Sequence, residues 1–118
     1  TFGMKLFRKA IQNSLDLVKE AETYIRHSNS LELMTPANLG IVCYRVNPIG
    51  YELNMEELEK LNRDISDDIT ESGYAMISST RLRGEFALRL CVMNHTARRE
   101  DVLGVLEATE KTAQKLLL

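Results

Sequence analysis

Arg89 is the side chain whose setting in this sequence most directly predicts chemistry. It belongs to an alternating stretch from Phe86 to Met93, which predicts a β-strand with side chains on two opposite faces. On one face Arg89 stands between the small or apolar residues Ala87 and Cys91. We therefore expect a guanidinium on a face that is at least half shielded. Such a group needs an anion, and a carboxylate matches its planar fork. An exposed arginine or an internal ion pair would leave the same pattern.

Other polar groups give weaker chemical signals. The hydroxyl run Ser78-Ser79-Thr80 is placed at the end of a predicted strand, where it either binds an anion or completes local hydrogen bonds. His27 and His95 fall at predicted helix or strand ends, and a capping or surface role is favoured because neither has a partner at a catalytic spacing. Arg81 and Arg83 lie on the predicted loop between two strands. They either form a small, positively charged entrance to a binding site or remain solvated.

Several classes of site leave no signature in the sequence. There is no phosphate-binding Gly-rich loop, Gly-x-Ser-x-Gly elbow or His-Glu-x-x-His motif. The most acidic predicted helix spreads its carboxylates without a ligand-binding loop, which indicates a solvated face and no metal site. Cys43 and Cys91 lie in apolar surroundings without a Cys-x-x-Cys spacing, so we predict reduced core residues and no disulfide framework.

Composition and charge narrow the range of partners. The 118 residues fit one domain, and 44% hydrophobic with 27% charged residues is typical of a globular chain. With 15 Lys and Arg against 17 Asp and Glu, the net charge is −2, so no positive field recruits nucleic acid. No apolar run approaches the roughly 20 residues of a membrane span. We expect neither nucleic acid nor membrane as a partner and, without a signal peptide, a cytoplasmic location. Thr1 in place of an initiator Met indicates a piece of a longer chain.

A long helix is predicted at the start of the chain, from Gly3 to His27, because apolar residues recur every three or four positions. It is long for so small a domain, so we expect it to face a neighbour as well as its own core. A short strand from Leu31 to Met34 is predicted to stop at Pro36, which cannot donate to a β-ladder. Leu39 to Val46 is rich in β-formers on both faces and predicts a central strand.

A second helix and two further strands are predicted in the second half of the chain. Asn54 and Glu57 have the spacing of a capping box, and Gly73 is placed to end the helix behind them. Two strands follow, from Tyr74 to Thr80 and from Phe86 to Met93, with a spacing that favours a loop over a tight two-residue turn.

A final helix, with Thr96 as its predicted N-cap, completes the order helix, two strands, helix, two strands, helix. This order predicts an α+β fold, with a small, mainly antiparallel sheet of about four strands and helices packed on one face.

Short motifs along the whole chain occur in an order that is similar to one known family. They are Phe2-Gly3-Met4-Lys5, Leu31-Glu32-Leu33, Leu39-Gly40-Ile41-Val42-Cys43-Tyr44-Arg45, the spaced residues Gly73, Thr80, Leu82 and Gly84, then Leu88-Arg89, Asn94 and Asp101-Val102. In these motifs the chain resembles the C-terminal small domain of the group II pyridoxal-phosphate-dependent amino-acid decarboxylases. That family comprises the aromatic-amino-acid, histidine, glutamate and diaminobutyrate decarboxylases, and the resemblance implies the C-terminal fold of fold-type-I enzymes.

The resemblance implies a homodimeric carboxy-lyase of carboxylic acid metabolism that removes the α-carboxylate of an L-amino acid with pyridoxal 5'-phosphate as cofactor. In that family the cofactor is held by a Schiff-base lysine that follows a histidine in a large domain. The lysines here all fall on predicted helices, and none follows a histidine. We therefore expect residues 1–118 to be a single C-terminal small domain, with helix 3–27 packed on a large domain absent from the chain. The chain alone is expected to lack catalytic and cofactor-binding residues and to be inactive.

Two positions carry over from the family as substrate-binding candidates. Arg89 matches an arginine that is associated with a substrate carboxylate in glutamate decarboxylases, and Gly3 falls near the family's substrate pocket and dimer contact. Arg45 matches a second arginine of the family, to which we assign a structural role. In this interpretation the domain helps close the active site and orients the substrate carboxylate. The alternatives are an independent ligand-binding or regulatory module and an oligomerisation domain.

Overall fold

Three helices and four strands follow one another in the order predicted from the sequence. The computed structural model describes residues 2–38, 40–71, 77–92 and 98–117. The elements are α1 (Phe2–His27), β1 (Leu31–Asn38), β2 (Ile41–Val46), α2 (Met55–Glu71), β3 (Ile77–Leu82), β4 (Glu85–Cys91) and α3 (Arg99–Leu117).

The four strands form one antiparallel sheet in the order β1-β2-β4-β3, which places β2 at the centre as predicted. Tyr44 of β2 and Leu88 of β4 are paired and fully buried. All three helices pack on the side of the sheet that carries Tyr44 and Leu88. They share one core with the sheet, through residues such as Val18, Ile65 and Leu106. The α+β prediction is confirmed. No described helix covers the opposite side. We call that side the open face, and it carries Cys43, Arg45, Ser78, Thr80, Glu85, Ala87, Arg89 and Cys91.

β1 continues through Pro36 to Asn38, so the prediction that this strand stops near Met34 is wrong. β1 is an edge strand with β2 as its one neighbour in the sheet. On an edge, a residue without an N–H can turn its nitrogen away from the ladder. The register also shifts between Leu33 and Thr35 and again between Thr35 and Asn38, which places Pro36 in the irregular part of the pairing.

β3 and β4 join through a tight two-residue turn at Arg83-Gly84, so the prediction of a longer loop is wrong. Leu82 and Glu85 are paired directly on either side of the turn. Arg83 has φ 53° and Gly84 has φ 82°, and both values lie in the left-handed region. Two such residues meet the requirement of a type I′ turn, whose twist matches that of the strands. Arginine rarely adopts this conformation, and the sequence therefore did not signal the turn.

The capping box at the start of α2 is confirmed. The Glu57 N–H donates to Asn54 Oδ1 at 2.8 Å, and the Asn54 N–H donates to Glu57 Oε1 at 3.3 Å. Further along α2, the buried Asn62 accepts from the Val46 N–H at 2.6 Å and donates to Val46 O at 2.9 Å. Its amide also donates to Leu58 O at 2.8 Å. Asn62 therefore pairs both main-chain groups at the end of β2 and fixes α2 against the sheet.

Some predicted features lie outside the described residues. They are Leu39, Gly73 as the end of α2, residues 74–76 and Met93 of the predicted strands, His95, and Thr96 as the N-cap of α3. In the described part α3 begins at Arg99, and the Arg98 N–H donates to Asp101 Oδ2 at 3.0 Å. A carboxylate in the first turn also interacts favourably with the helix dipole.

Candidate functional site

Arg89 lies in the middle of the open face, on β4, which with β2 is one of the two inner strands of the sheet. Its Cα partners are Cys43 on β2 and Ser78 on β3. The side chain is exposed, so the expectation of a half-shielded setting is wrong. Its small neighbours Ala87 and Cys91 are buried and half-buried, but the long guanidinium reaches past them into solvent because no described helix stands over this face.

Arg45 lies on the same face and is paired with carboxylates on two sides. Its side chain is 13% exposed, and Nε donates to a carboxylate oxygen of Glu32 on β1. Nη1 lies 3.3 Å from Glu85 Oε2 on β4. The three side chains link three neighbouring strands, which agrees with the structural role that we assigned to Arg45.

The two arginines of the open face therefore differ in the use of their charges. Among the described residues Arg89 has no ion-pair or hydrogen-bond partner, while Glu32 and Glu85 are both engaged by Arg45. Arginine carries five N–H donors in a planar fork. The open face thus offers one guanidinium with free donors, and a carboxylate is the ligand that matches it bidentately.

Gly3 lies in the first turn of α1. Further along this helix, Ser14 is buried beside Gly40, whose Cβ, if present, would lie 3.4 Å from Ser14 Cβ. At 1.5 Å per residue, the helix runs about 16 Å from Ser14 back to Gly3. The first turns of α1 therefore project past this end of the sheet, and within the chain Gly3 is not a neighbour of Arg89.

The hydroxyl run Ser78-Ser79-Thr80 lies inside β3 and not at a strand end. Ser78 is paired with Arg89 on the open face, whereas Ser79 is paired with Leu88 on the helix-covered side. Both serines are exposed, since β3 is an edge strand. Of the three hydroxyls, Ser78 is the one that the register places beside Arg89.

Arg81 and Arg83 do not form a positively charged entrance from two unpaired guanidinium groups. Arg81 Nη1 lies 2.8 Å from Glu59 Oε1 of α2, while Arg83 occupies the β3–β4 turn. The guanidinium groups of Arg63 and Arg81 also lie over the Phe86 ring, at 5.6 and 6.0 Å from its centroid. The hydrogen bond and charge of Arg81 hold the pKa of Glu59 below its usual range. These contacts join α2 to the hairpin.

A cleft of about 780 Å³ lies on the helical side of the molecule, between α1, the turn before β1, and α3. Glu110 in this cleft accepts hydrogen bonds from the hydroxyls of Tyr24, of Ser28 at 2.7 Å and of Ser30 at 3.2 Å. Burial, and then the hydrogen bond to Glu110, raise the pKa of Tyr24. No sequence pattern indicates this cluster, because Glu110 stands 80 to 86 positions away from its three donors.

Other polar groups of the described chain have ordinary structural settings. No set of three or more His, Cys, Asp or Glu within the described ranges could hold a metal ion. Cys43 and Cys91 are free thiols, buried and half-buried, in agreement with the prediction. His27 is exposed at the end of α1, with Nδ1 2.8 Å from Thr23 O. None of the helices, over the residues described, is long and apolar enough to cross a membrane.

Solved structures contain the same arrangement of helices and strands. Oryza sativa TDC, solved with PLP and tryptamine, matches with a TM-score of 0.83 at 22% identity, over 92% of this chain and 23% of its own. Catharanthus roseus tryptophan decarboxylase, solved with L-tryptophan, gives 0.78 at 24% identity, over 91% of this chain and 22% of its own. The fold is therefore that of a domain found in amino-acid decarboxylases.

Sequence comparison finds relatives with the same activity in their names. The aromatic-L-amino-acid decarboxylase of Bacillus atrophaeus is 30% identical over 115 residues, which are 98% of this chain and 24% of that protein. No protein-family model matches the chain. Along nearly its whole length the chain is homologous to the group II pyridoxal-phosphate-dependent amino-acid decarboxylases, which confirms the resemblance carried by its motifs. The relatives that it matches are named as decarboxylases, which are carboxy-lyases. It spans about a quarter of the length of the relatives it matches.

Proposed function

We propose that the chain is the C-terminal small domain of a pyridoxal-phosphate-dependent L-amino-acid decarboxylase, in which Arg89 orients the carboxylate of the substrate. The supporting observation is that a chain homologous to decarboxylases over 98% of its length carries, on its open face, a guanidinium without a partner among the described residues. In this proposal the enzyme is a cytoplasmic homodimer of carboxylic acid metabolism, and the small domain helps close its active site.

The described residues of the chain do not themselves fit a pyridoxal phosphate site. A covalent site needs a lysine that reaches an enclosed pocket, but every lysine of the chain lies on a helix and is exposed. Lys60, for example, is 79% exposed and lies 2.9 Å from Asp64. The lining of the cleft on the helical side sets the acidic Glu20 and Glu110 against the basic Lys19 and Arg99, so it offers no excess of positive charge for a phosphate. In our proposal the rest of the polypeptide holds the cofactor, which supplies the electron-accepting ring for loss of the carboxylate.

Arg89 suits the task of holding a carboxylate because its backbone is anchored and its guanidinium is available. β4 is hydrogen-bonded to β2 on one side and to β3 on the other, and Arg89 lies opposite Cys43 and Ser78 in these two pairings. In water an exposed ion pair contributes at most about 1 kcal/mol. Once the remaining polypeptide covers the open face, water is excluded, and the charge-assisted hydrogen bonds of Arg89 become stronger.

The open face and the first turns of α1 are the surfaces that we propose to meet the large domain. Met4 and Ile11 are 54% and 44% exposed, and they stand seven residues apart on one side of α1. Large apolar side chains grouped in this way are typical of contact surfaces. α1 has 26 residues and is about 39 Å long. Its first turns therefore extend beyond the sheet and are available for this contact. This proposal also keeps Gly3 near the substrate pocket and the dimer contact.

One observation favours a second candidate function, that of an independent ligand-binding module. The cleft of about 780 Å³ on the helical side has the volume of a small-molecule site and lies on the side of the sheet away from Arg89. Such a module would bind its ligand without any further polypeptide. The decarboxylase domain, in contrast, acts only together with the rest of the enzyme.

Substitution of Arg89 in the full polypeptide tests the proposed function. We expect Arg89→Ala to lower kcat/KM for the L-amino acid about 10- to 100-fold, because a hydrogen bond to a charged group contributes about 1.5 to 3 kcal/mol. Release of CO₂ under steady-state conditions measures this change. Arg83→Ala is the matched control, since Arg83 is also an exposed arginine but lies in the β3–β4 turn. Unchanged kinetics in Arg89→Ala, or an equal loss in both variants, would remove the assignment.

A further inference from the structure

Ser78 lies beside Arg89 on the open face. The two residues are direct Cα partners in the antiparallel β3–β4 pair, and both side chains are exposed. Direct partners on one face have Cβ atoms about 4.5 to 5.5 Å apart. A ligand bound to the Arg89 guanidinium therefore lies within reach of the Ser78 hydroxyl.

The Ser78 hydroxyl is free to donate. Within the described residues it forms no hydrogen bond, in contrast with Ser28 and Ser30, whose hydroxyls are engaged by Glu110. On the other side of Arg89 the partner is Cys43, a buried thiol and at best a weak donor. Ser78 is thus the strong donor among the two direct cross-strand neighbours of Arg89.

A carboxylate can use both groups at once. Its two oxygens offer about four acceptor positions, of which a bidentate guanidinium occupies two. A hydroxyl beside the guanidinium can donate to one of the remaining lone pairs without displacing Arg89. An amine or a neutral apolar group offers no such acceptor, so the pair favours a carboxylate over the decarboxylated product.

We propose that Ser78 is a second donor of a carboxylate site at Arg89 and that it sets the preference of this site for a carboxylate. The inference rests on the proposed function, which it extends by one residue. The carboxylate comes either from the amino-acid substrate or from an acidic side chain of the polypeptide that covers the open face, and the experiment separates these two sources.

The test compares Ser78→Ala with Ser78→Thr and Ser79→Ala in the full polypeptide. Ser79 is the matched control, because it is also an exposed serine of β3 but lies on the opposite side of the sheet. We expect Ser78→Ala to raise KM for the L-amino acid about 10-fold with little change in kcat. Ser78→Thr keeps the hydroxyl and is expected to restore KM, and Ser79→Ala is expected to leave both constants unchanged.

Two competitive inhibitors identify the source of the carboxylate: a substrate analogue with its carboxylate, and the corresponding amine without it. If the substrate supplies the carboxylate, Ser78→Ala weakens binding of the first inhibitor and not of the second. If both inhibitors lose affinity equally, the carboxylate belongs to the protein, and the role of Ser78 in substrate preference is overturned.

The failures of the two proposals are distinguishable. If Arg89→Ala impairs the enzyme while Ser78→Ala behaves like Ser79→Ala, the inference on Ser78 falls and the proposed function stands. If the full polypeptide releases no CO₂, the proposed function falls, and titration of the 118-residue chain with acetate decides on Ser78. The titration follows the NMR signal of the Arg89 Nε–H. If this signal needs several-fold more acetate to shift in Ser78→Ala than in the parent chain, a shared carboxylate site is supported. Identical titration curves would overturn it.

Discussion

Arg45 and Arg89 share the open face, but the charges around them differ. Arg45 is 13% exposed and has Glu32 and Glu85 as partners, so its charge is used inside the fold. Arg89 is exposed, and no carboxylate of the described chain is paired with it. Neighbouring carboxylates are thus committed to the structural arginine. This division leaves Arg89 available for a carboxylate from outside the described residues.

Tyr44 provides a test of the core at the residue scale. It is fully buried, and its hydroxyl donates to Thr109 Oγ1 at 3.0 Å, because Thr109 itself donates to Val105 O at 2.9 Å. Burial raises the pKa of Tyr44. A raised pKa means that the folded state is stabilised while the tyrosine is neutral. This contribution is complete below about pH 10 and is lost as the pH rises further, by up to about 1.4 kcal/mol per pH unit.

Urea unfolding at about pH 7 and about pH 11 measures this loss. Tyr44→Phe is expected to lower the free energy of unfolding at the lower pH by about 1 kcal/mol, through the lost hydrogen bond. It is also expected to reduce the loss of stability at the higher pH. Tyr51→Phe, at an exposed tyrosine of the β2–α2 connection, is the control and should match the parent chain. An alkaline loss of the same size in Tyr44→Phe and the parent would contradict this account.

Asn62 tests how an element is held in place. Its side-chain amide projects from α2, pairs the N–H and C=O of Val46, the last residue of β2, and is buried between the two elements. Asn62→Leu leaves both buried main-chain groups without partners, at about 1 to 3 kcal/mol each. We expect the free energy of unfolding, measured with urea, to fall by roughly 2 to 4 kcal/mol.

The control for this prediction is Thr70→Leu, an exposed position on the same helix, where a change within about 0.5 kcal/mol is expected. A loss in Asn62→Leu no larger than that of the control would show that the amide does not hold α2 on β2.

At the scale of elements, periodicity in the sequence located the three helices and four strands of the described residues, since a buried face recurs every 3.6 or every 2 residues. The errors lie where the conformation depends on distant residues. Pro36 is tolerated because β1 lies at the edge of the sheet, and the β3–β4 turn is tight because Arg83 accepts a positive φ. Neither condition is visible in the local sequence.

The candidate site was predicted in part, for the same reason. Alternation along β4 placed Arg89 correctly among Ala87 and Cys91, but its exposure depends on which side of the sheet the helices cover. The position of Ser78 beside Arg89 depends on the register of β3 with β4, which the tight turn sets. The placement of Arg89 on β4 is thus a local feature, whereas the proposed second donor, Ser78, could be found only from the three-dimensional pairing of the strands.

The whole molecule has a helical side, an open face and an elongated shape, with principal extents of 54 × 27 × 23 Å. The start of α1 contributes to the longest extent, because it projects past the end of the sheet. A one-sided sheet and a projecting helix both leave surface for further contacts. Together with a length of about a quarter of the relatives it matches, these features support the proposal that the chain works within a larger enzyme.

The most direct test of this proposal compares CO₂ release by the 118-residue chain and by the full polypeptide that contains it. Each is mixed with pyridoxal phosphate and a set of L-amino acids, among them glutamate and the aromatic ones, at equal molar concentration. We predict release of CO₂ from at least one amino acid by the full polypeptide and none by the chain alone, whose lysines are all exposed on helices. Turnover by the isolated chain, or a full polypeptide that releases no CO₂ from any of them, would contradict the account.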